Sequence, residues 1–504
     1  MRISPTRDEF RVLATTYGVV PVWTEVLADR HTPVGAFLAL VGDEPGFLLE
    51  SVEHGERWAR FSFVGCRPRA EISLIDGAVR ATGAVPKGVA LDKGFLAALE
   101  GMLDAHRAPV IAELPPLQGG MIGHVGYDIV REIERLPDAP RDDRGVPAAI
   151  MSMIGSLAAF DHWRQRAYLI ESVPTLGLDA AEVDAAYDRA CVAVRRMADD
   201  LARATPGDSV APPLGSDAPI AATSSMADGR YQDAVRVAKE HILAGDIFQV
   251  VLSQRFDVRL DADPFDFYRV LRQVNPSPYM YFVRHNALTI AGSSPEPLVQ
   301  LRDGRVISRP IAGTRKRGRD DEHDRRLAGE LKENPKERAE HVMLVDLARN
   351  DVGRVSKFGT VKVDELMTLE RYSHVMHLTS QVSGELRDGL GPIDVLRATL
   401  PAGTVSGAPK VRAMEIIDAL EPVSRGPYAG IVGYVDFNGN FDAAIAIRTM
   451  FARGDDAWFQ AGAGVVADSD PDDENLECHN KAAALLSAVP AARRMTAQRT
   501  AHRS

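Results

Sequence analysis

Two pairs of glutamates in the second half of the chain have the residue type and the spacing to hold a metal ion. The first pair is Glu337 and Glu340, and the second is Glu474 and Glu477. On a helix, residues three apart share a face, so each segment would present two carboxylates together. Four converging carboxylates need a cation, and oxygen ligands favour a hard ion, most simply Mg²⁺. Solvated helices carry such pairs more commonly, so the glutamates alone leave both interpretations open.

Longer motifs surround these pairs and indicate a family. Residues 341–351 follow the first pair directly, and further motifs lie at 310–314, 375–378 and 462–464. Their sequences and their order resemble those of the chorismate-utilising enzymes, and most closely those of the large subunits of anthranilate synthases. The resemblance covers nearly the whole chain.

By this resemblance the substrate is chorismate, a cyclohexadiene with a ring carboxylate, an enolpyruvyl ether bearing a second carboxylate, and a hydroxyl that must leave. The resemblance implies that Glu340 and Glu477 ligate Mg²⁺ directly, while Glu337 and Glu474 lie behind them or hold metal-bound water. Mg²⁺ on the ring carboxylate would withdraw electron density and orient the ring. Lys481, four residues after Glu477, shares its helical face and would offset negative charge or reach a carboxylate.

Other residues match the substrate contacts of the family. Arg448 matches the residue that binds the enolpyruvyl carboxylate, for which a guanidinium offers a planar fork of donors. We predict it near the end of a strand at 443–448, where a lone arginine is more commonly a surface residue. The remaining contacts implied by the resemblance, whose glycines let backbone N–H groups approach a carboxylate, are Gly313, Thr314, Tyr428, Gly462, Ala463 and Gly464.

Three residues match catalytic positions of the family. Glu296 matches the general acid that protonates the departing hydroxyl, and burial would have to keep it protonated. His377 matches the residue that assists elimination of pyruvate in the second half-reaction. The alternative interpretation is that His377 is a core histidine whose ring nitrogens are satisfied by hydrogen bonds. Thr314 is the third catalytic position that the resemblance implies, and it lines the ring site.

Two positions distinguish the relatives by their nucleophile. Members that add water typically carry a lysine base where this chain has Gln249. Aminodeoxychorismate synthases often carry an attacking lysine where this chain has Ala312. Direct attack by ammonia is therefore predicted, giving aminodeoxyisochorismate and then anthranilate and pyruvate. Aminodeoxychorismate synthase component I is the alternative.

Another protein must supply the ammonia, because the sequence contains no Gly-X-Cys-X-Gly segment for glutamine hydrolysis. We therefore predict a glutamine amidotransferase subunit as partner in a hetero-oligomer. Residues 48–51 and 275–280 resemble the tryptophan feedback site of anthranilate synthases. This resemblance implies that tryptophan inhibits by binding Ser51, Pro278, Tyr279 and Met280. The alternative is that the prolines only shape a turn before a strand.

Composition and site content weigh against other function classes. The 504 residues include 59 basic and 70 acidic ones, a net charge of -11, so no general attraction to nucleic acid or to anionic membranes is expected. No apolar stretch reaches the roughly 20 residues of a membrane helix. Three scattered cysteines suit a reducing cytoplasm. An inactive tryptophan sensor would lose the metal ligands, and a scaffold subunit would not need Glu296, His377 and Arg448 together.

A segment rich in Pro, Gly, Ser and Ala divides the chain. The fold class is predicted to be α+β, with antiparallel sheets packed against helices as in the chorismate-utilising enzymes. The predicted first division is a regulatory region at 1–204, packed on the catalytic core, and a linker or surface loop follows at 205–225. A chorismate-binding catalytic domain is predicted at 226–490 and a tail at 491–504.

Local patterns predict individual elements. A helix at 178–204 ends the first half, and Ser225 with Asp228 resembles a capping box that opens a helix through 244. The mixed-charge run at 315–326 is predicted to be a solvated loop. Turn signals at Asp303-Gly304 and Asn438-Gly439 indicate hairpins. Strands are predicted at 248–260, 279–284, 288–292, 298–308, 430–437, 441–451 and 458–466.

Overall fold

The structure is a computed structural model of the chain, and it describes residues 1–51, 60–203, 210–213, 217–371 and 375–503. Its helices are α1 (Arg7–Ala14), α2 (Pro33–Leu40), α3 (Phe95–Ala105), α4 (Ala180–Ala202), α5 (Arg230–Leu243), α6 (Pro264–Val274), α7 (Asp321–Glu333), α8 (Pro335–Val355), α9 (Pro392–Thr399), α10 (Lys410–Leu420), α11 (Pro471–Leu486) and α12 (Val489–Arg503). Short 3-10 helices lie at Tyr127–Glu132 and Gly403–Val405.

The strands are β1 (Val19–Leu27), β2 (Gly46–Glu50), β3 (Phe61–Ile75), β4 (Ala78–Gly83), β5 (Gly120–Val125), β6 (Ala149–Asp161), β7 (Arg166–Pro174), β8 (Thr223–Ser224), β9 (Gln249–Arg259), β10 (Tyr279–Arg284), β11 (Thr289–Ser294), β12 (Pro297–Arg302), β13 (Arg305–Ser308), β14 (Ile311–Lys316), β15 (Lys362–Arg371), β16 (Val375–Glu385), β17 (Gly407–Ala408), β18 (Ile431–Asp436), β19 (Phe441–Ile445), β20 (Thr449–Arg453) and β21 (Asp456–Val465).

The strands form a branched antiparallel network with two arms. In the first arm β5, β18, β19, β12, β13 and β16 pair in that order, and β14 and β15 also pair with β16. In the second arm β2, β10, β11, β20, β21 and β9 pair in that order, and β8 and β17 also pair with β9. The arms join through β3, which pairs with β2, and β6, which pairs with β5 and β3. The α+β class with antiparallel sheets is confirmed.

Strands from the two ends of the chain share these arms. β2 pairs with β10 in the second arm, with Glu50 opposite Met280. β5 pairs with β18 in the first arm, with Gly120 opposite Asp436. Residues before the predicted linker therefore supply strands to sheets built mainly from residues after it. The linker itself lies partly outside the described residues.

Two of the points at which the chain crosses between the arms touch each other. The chain leaves the second arm after β11 and enters the first at β12, and it returns between β19 and β20. The N–H of Ile445 donates to the Glu296 carbonyl at 3.0 Å, and the N–H of Ser293 donates to the Arg448 carbonyl at 3.1 Å. Two of the predicted site residues, Glu296 and Arg448, thus occupy these crossings.

Two large cores hold the layers together. One includes side chains from both arms, such as Phe441 of the first and Phe451 of the second. The other packs the second arm against helices, among them α4, α5, α6 and α11. Burial of this much apolar surface provides the main free energy of folding. Within the described residues, no helix combines the length and apolarity needed to cross a membrane.

Capping residues fix where the two glutamate-bearing helices begin. The Asn334 side chain accepts from the N–H groups of Lys336 and Glu337, at the start of α8. The Asp470 side chain accepts from the N–H groups of Asp472 and Asp473, at the start of α11. Each helix has proline at its first position, where the missing N–H costs nothing. Local sequence therefore sets the register of both glutamate pairs.

Several local predictions were wrong. Ser225 does not cap α5, because its hydroxyl accepts from the Arg255 N–H on β9, and Gly229 is the N-cap instead. The run at 315–326 is not simply a loop, since it contains the end of β14 and the start of α7. The division at 491–504 stays a prediction; its described residues are helical in α12, whose Thr496 donates to Asp266 on α6.

The stretch 441–451, predicted as one strand, is interrupted between β19 and β20. Arg448 has φ 51° there, in the left-handed region. It therefore lies at a strand junction and not at the end of a continuous strand.

Candidate active site

The glutamate pairs of α8 and α11 face each other. Glu340 is half-buried. Burial and the nearby charges of Glu337 and Glu477 raise the pKa of the Glu340 carboxyl. Burial also raises the pKa of Glu474, with Glu477 adding to the effect. The acid groups of both helices are therefore within electrostatic range of one another.

Two of these glutamates already have cationic partners. Glu337 accepts from Arg315 at 2.9 Å, and Glu477 accepts from Lys481 at 2.7 Å. No group of three or more His, Cys, Asp or Glu side chains is close enough to hold a metal ion in the described part of the chain. Glu340 has no ion pair among those residues. The carboxylate oxygens fit a hard cation, because a cation would neutralise the unpaired charge of Glu340. To bind the same cation, Glu477 would have to give up its ion pair with Lys481.

Arg448 and Lys481 supply positive charge beside these glutamates. Both line a cavity of about 370 Å³ together with Asp473, Leu476, Glu477 and Asn480. Burial lowers the pKa of the Arg448 guanidinium, which destabilises its charge. No carboxylate lies within ion-pair distance of Arg448 in the residues that the structure describes. A half-buried guanidinium without a carboxylate partner is suited to bind an anionic ligand.

The glycines of β21 make room for close approach. A Cβ on Gly462 would lie 2.8 Å from the Leu252 carbonyl oxygen and 3.2 Å from the Tyr428 hydroxyl. Lys481 donates to the Gly462 carbonyl at 2.7 Å, which brings Tyr428, Gly462 and Lys481 together. Beyond Phe459, β21 has a strand partner only on the β9 side in the described structure. Backbone groups on its other edge are free of strand pairing and can face a ligand.

Gly464 and Ala463 differ in what they face. A Cβ on Gly464 would lie 2.5 Å from the amide nitrogen of Gln249, the position at which water-adding relatives carry lysine. Gln249 is buried. The Ala463 side chain is fully buried in the helix-covered core, so only its backbone can contribute to the site.

His377 is held in a defined tautomer by its neighbours on β14. Its Nδ1 lies 3.1 Å from the Gly313 carbonyl and 3.0 Å from the Thr314 hydroxyl. A carbonyl only accepts, so Nδ1 carries the proton and Nε2 the lone pair. Burial, with a contribution from Arg448, lowers the pKa of the ring, which is neutral near pH 7 and can accept a proton.

Gly313 and Glu337 are close neighbours. Gly313 has φ 71°, and an added Cβ would lie 3.0 Å from the Glu337 carboxylate. The glutamate-bearing helix α8 thus packs directly against the strand that supports His377. Gly313, Thr314 and His377 form one cluster, and the charge of Arg448 acts on His377.

Glu296 has the protonation behaviour of a general acid. It keeps some exposure, but the surrounding protein raises the pKa of its carboxyl to about 7 by desolvation. Thr404 and Lys481 act in the opposite direction by stabilising the carboxylate. The Thr404 hydroxyl is buried and makes no hydrogen bond of ordinary length to the described residues.

Thr404 was not singled out from the sequence. The sequence feature that could have indicated it is the run of small residues and prolines at 401–409, a composition unusual for a long helix or strand. This run forms a 3-10 turn and the short strand β17.

A second cavity, of about 1430 Å³, is lined by Ser51, Pro278, Tyr279 and Met280. The pairing of β2 with β10 brings these residues together although more than 200 positions separate Ser51 from Pro278. The Ser51 hydroxyl is buried without a hydrogen-bond partner among the described residues. Tyr279 packs against the core shared by the arms and Met280 lies in the other core, so their side chains belong to opposite faces of β10.

Comparisons with known proteins identify the family. A family model described as a chorismate binding enzyme matches residues 46–487. The chain belongs to the chorismate-binding enzymes. Anthranilate synthase component 1 from Acetivibrio thermocellus is 45% identical over 494 residues, which cover 96% of this chain and 98% of that protein. Anthranilate synthase component 1 from Mycobacterium tuberculosis (strain ATCC 25618 / H37Rv) is 45% identical over 515 residues, covering 98% and 97%.

Solved structures agree with this assignment. Anthranilate synthase component I from Streptococcus pneumoniae TIGR4 superimposes with a TM-score of 0.76 and 37% identity, covering 92% of this chain and 99% of that one. The isochorismate synthase MenF from Escherichia coli, 18% identical with a TM-score of 0.67, shares the fold. The chorismate-binding family, its fold and the resemblance to anthranilate synthase component I are confirmed, and the chain is an enzyme.

Proposed function

We propose that this chorismate-binding enzyme converts chorismate and ammonia to anthranilate and pyruvate, the first step of tryptophan biosynthesis. The observation that carries the proposal is Glu296, whose carboxyl is held near pKa 7 close to a cavity lined by the cations Arg448 and Lys481. An acid beside two cations suits a dianionic substrate that must lose a hydroxyl. The similarity to anthranilate synthase component 1 proteins supports the same reaction.

In the first half-reaction, ammonia forms a C–N bond to the ring as the ring C–O bond breaks. Glu296 donates its proton to the departing hydroxyl, which leaves as water. Arg448 binds the enolpyruvyl carboxylate, and Lys481 lies within reach of the second carboxylate. The product is aminodeoxyisochorismate once the added nitrogen has lost a proton, which returns Glu296 to its acid form.

In the second half-reaction, a ring C–H bond and the ring C–O bond to the enolpyruvyl group break, and the leaving enolpyruvate takes up a proton to become pyruvate. His377 accepts the ring proton at Nε2, because Nδ1–H is committed to Gly313 and Thr314. Loss of the proton and of pyruvate makes the ring aromatic.

Mg²⁺ is proposed as the cofactor, held by Glu340 and Glu477 with Glu337 and Glu474 nearby. When bound, it supplies positive charge that neutralises and orients a substrate carboxylate. The raised pKa of Glu340 and its lack of an ion pair in the described residues support this assignment.

Ammonia is proposed as the nucleophile, delivered by a glutamine amidotransferase subunit. Gln249 and Ala312 replace the lysines that would favour water or covalent attack, and the amide of Gln249 cannot act as the base that activates water. The alternative product is 4-amino-4-deoxychorismate, which arises if ammonia ends at a different ring carbon.

The purified chain is expected to form anthranilate and pyruvate in equal amounts from chorismate, Mg²⁺ and ammonium at mildly alkaline pH. Glutamine should not replace ammonium until the amidotransferase subunit is added, because this sequence carries no glutaminase nucleophile. Anthranilate fluorescence and chromatography of the products measure the product ratio and the dependence on the nitrogen source. Activity with glutamine alone, or 4-amino-4-deoxychorismate as the product, would contradict the proposal.

Tryptophan is proposed as a feedback inhibitor that binds the larger cavity. The aromatic surface of Tyr279 suits an indole, and the buried Ser51 hydroxyl offers a polar contact at the other end. This cavity and the cavity beside Glu296 have different linings, so inhibition requires two states that tryptophan and chorismate bind unequally.

Ser51→Phe is expected to raise the tryptophan concentration for half-inhibition by more than about tenfold, since losing one buried polar contact alone costs about that factor. The new ring would also fill the polar end of the cavity. The measurement is an ammonium-dependent assay titrated with tryptophan, with Ser51→Ala as a control that removes the hydroxyl without filling space. Unchanged tryptophan sensitivity in Ser51→Phe would place the regulatory site elsewhere.

A further inference from the structure

Arg425 is the most deeply enclosed cation near the proposed active site, and nothing above gives it a role. Its side chain is 1% exposed and forms a buried ion pair with Glu421, which is 3% exposed. Two of its nitrogens donate to the Glu421 carboxylate at 2.7 and 2.9 Å. The guanidinium carbon also lies 4.6 Å from the centre of the Tyr127 ring and 5.9 Å from that of Tyr428.

The same guanidinium reaches two separate backbone segments. It donates to the Val405 carbonyl at 2.6 Å and to the Val251 carbonyl at 2.7 Å. Val405 directly follows Thr404, whose hydroxyl acts on Glu296. Val251 is the strand partner of Gly464 on β21.

Glu421 extends the connection along β9. Its carboxylate accepts from the Ser253 N–H at 2.8 Å and from the Ser253 hydroxyl at 2.9 Å. Ser253 is the strand partner of Gly462. The ion pair therefore contacts β9 opposite both glycines of the site.

We propose that Arg425 is a positioning residue for the reaction, which holds the segments bearing Thr404, Tyr428 and the Gly462–Gly464 backbone in one arrangement. This inference rests on the proposed formation of anthranilate. A guanidinium can make these contacts at once because its donors form a rigid planar fork, whereas a lysine ammonium is a single point of charge. Buried ion pairs contribute little net stability. The Arg425–Glu421 pair is therefore better explained by the geometry that it fixes than by a gain in stability.

The test compares Arg425→Lys with a matched substitution, Arg255→Lys. Arg255 is also buried, lies in β9 and donates to two carboxylates, those of Asp143 and Asp257. Among the described residues, its side chain has no hydrogen bond or ion pair with a residue of the proposed site. Melting temperature, kcat and KM for chorismate are measured for both variants and the parent with ammonium as the nitrogen source.

Arg425→Lys is expected to lower kcat/KM by about 10- to 100-fold, the scale on which a displacement near 1 Å acts. Arg255→Lys should lose a comparable amount of thermal stability with kcat/KM within about threefold of the parent. If Arg425→Lys stays within that same range, or if the two variants lose activity in proportion to stability, Arg425 has only a structural role.

A pH profile separates positioning from general damage. Thr404 stabilises the Glu296 carboxylate, so its displacement in Arg425→Lys should raise the pKa of Glu296 and move the alkaline limb of kcat/KM for chorismate to higher pH, at constant free ammonia. Thr404→Val removes a hydroxyl that has no hydrogen bond of ordinary length among the described residues, and it should reproduce the shift of the alkaline limb. This variant decides between the two roles if Arg425→Lys does not fold. An unmoved limb overturns the proposal. A parent that makes no anthranilate overturns the proposed function itself.

Discussion

Glutamine in place of Glu296 is expected to lower the rate of anthranilate formation by about 10²- to 10⁴-fold, the usual contribution of a positioned general acid. The amide keeps the shape of the side chain but cannot donate a proton to the departing hydroxyl as an acid does. Chorismate binding should change little, since Arg448 and Lys481 are untouched. Steady-state kinetics and calorimetric titration with chorismate measure the two effects separately.

The pH dependence of the parent follows from the same carboxyl. Glu296 must be protonated to act, and its pKa in the free enzyme is about 7, so kcat/KM for chorismate at constant free ammonia should fall as pH rises through that value. Glu296→Gln should lose this limb. Because the folded protein disfavours the carboxylate, Glu296 reduces stability as pH rises from its unfolded pKa to about 7. Glu296→Gln should therefore melt no lower than the parent at pH 8; a large loss of stability there would point to misfolding instead.

Glu340→Gln is expected to reduce turnover by more than about 100-fold at Mg²⁺ concentrations that saturate the parent. Substituting a residue that only supports a metal ligand already costs 10- to 100-fold, so loss of a direct ligand should cost more. Mg²⁺ should also raise the melting temperature of the parent and not that of the variant, since only binding to the folded state stabilises it.

The control is Asp346→Asn on the same helix. Asp346 is 72% exposed and paired with Arg349, so losing its charge should change neither turnover nor the response to Mg²⁺. The carboxylate of Glu340 is disfavoured in the metal-free fold, since its pKa is raised. The metal-free Glu340→Gln protein should therefore be at least as stable as the parent. Full turnover of the parent in excess chelator would contradict the metal assignment.

Elements with strong local signals were predictable from the sequence. The helix bearing Glu337 and Glu340 begins at a capping asparagine followed by proline, and the helix bearing Glu474 and Glu477 begins in the same way with an aspartate. Hairpins with Asp-Gly and Asn-Gly turns also formed where predicted. These features depend on a few neighbouring residues, so one sequence is sufficient to recognise them.

Features set by distant contacts were not predictable. The break at Arg448 has no local signal, because arginine rarely adopts positive φ and the apolar pattern continues across it. The break exists because the chain must leave the first arm and join the second at that point. In the same way, Ser225 looks like a helix cap, but its hydroxyl accepts from the Arg255 N–H on β9.

The two crossings have a mechanical consequence. Glu296 and Arg448 each lie where the chain passes from one arm to the other, so a change in the angle between the arms would turn the backbone that carries the acid relative to the backbone that carries the cation. The cavity that contains Ser51 and Tyr279 is lined by Leu49 of the second arm and Tyr434 of the first. A molecule seated there contacts both arms at once and restricts the angle between them. Restricting that angle would fix the relative orientation of the backbone segments that carry Glu296 and Arg448.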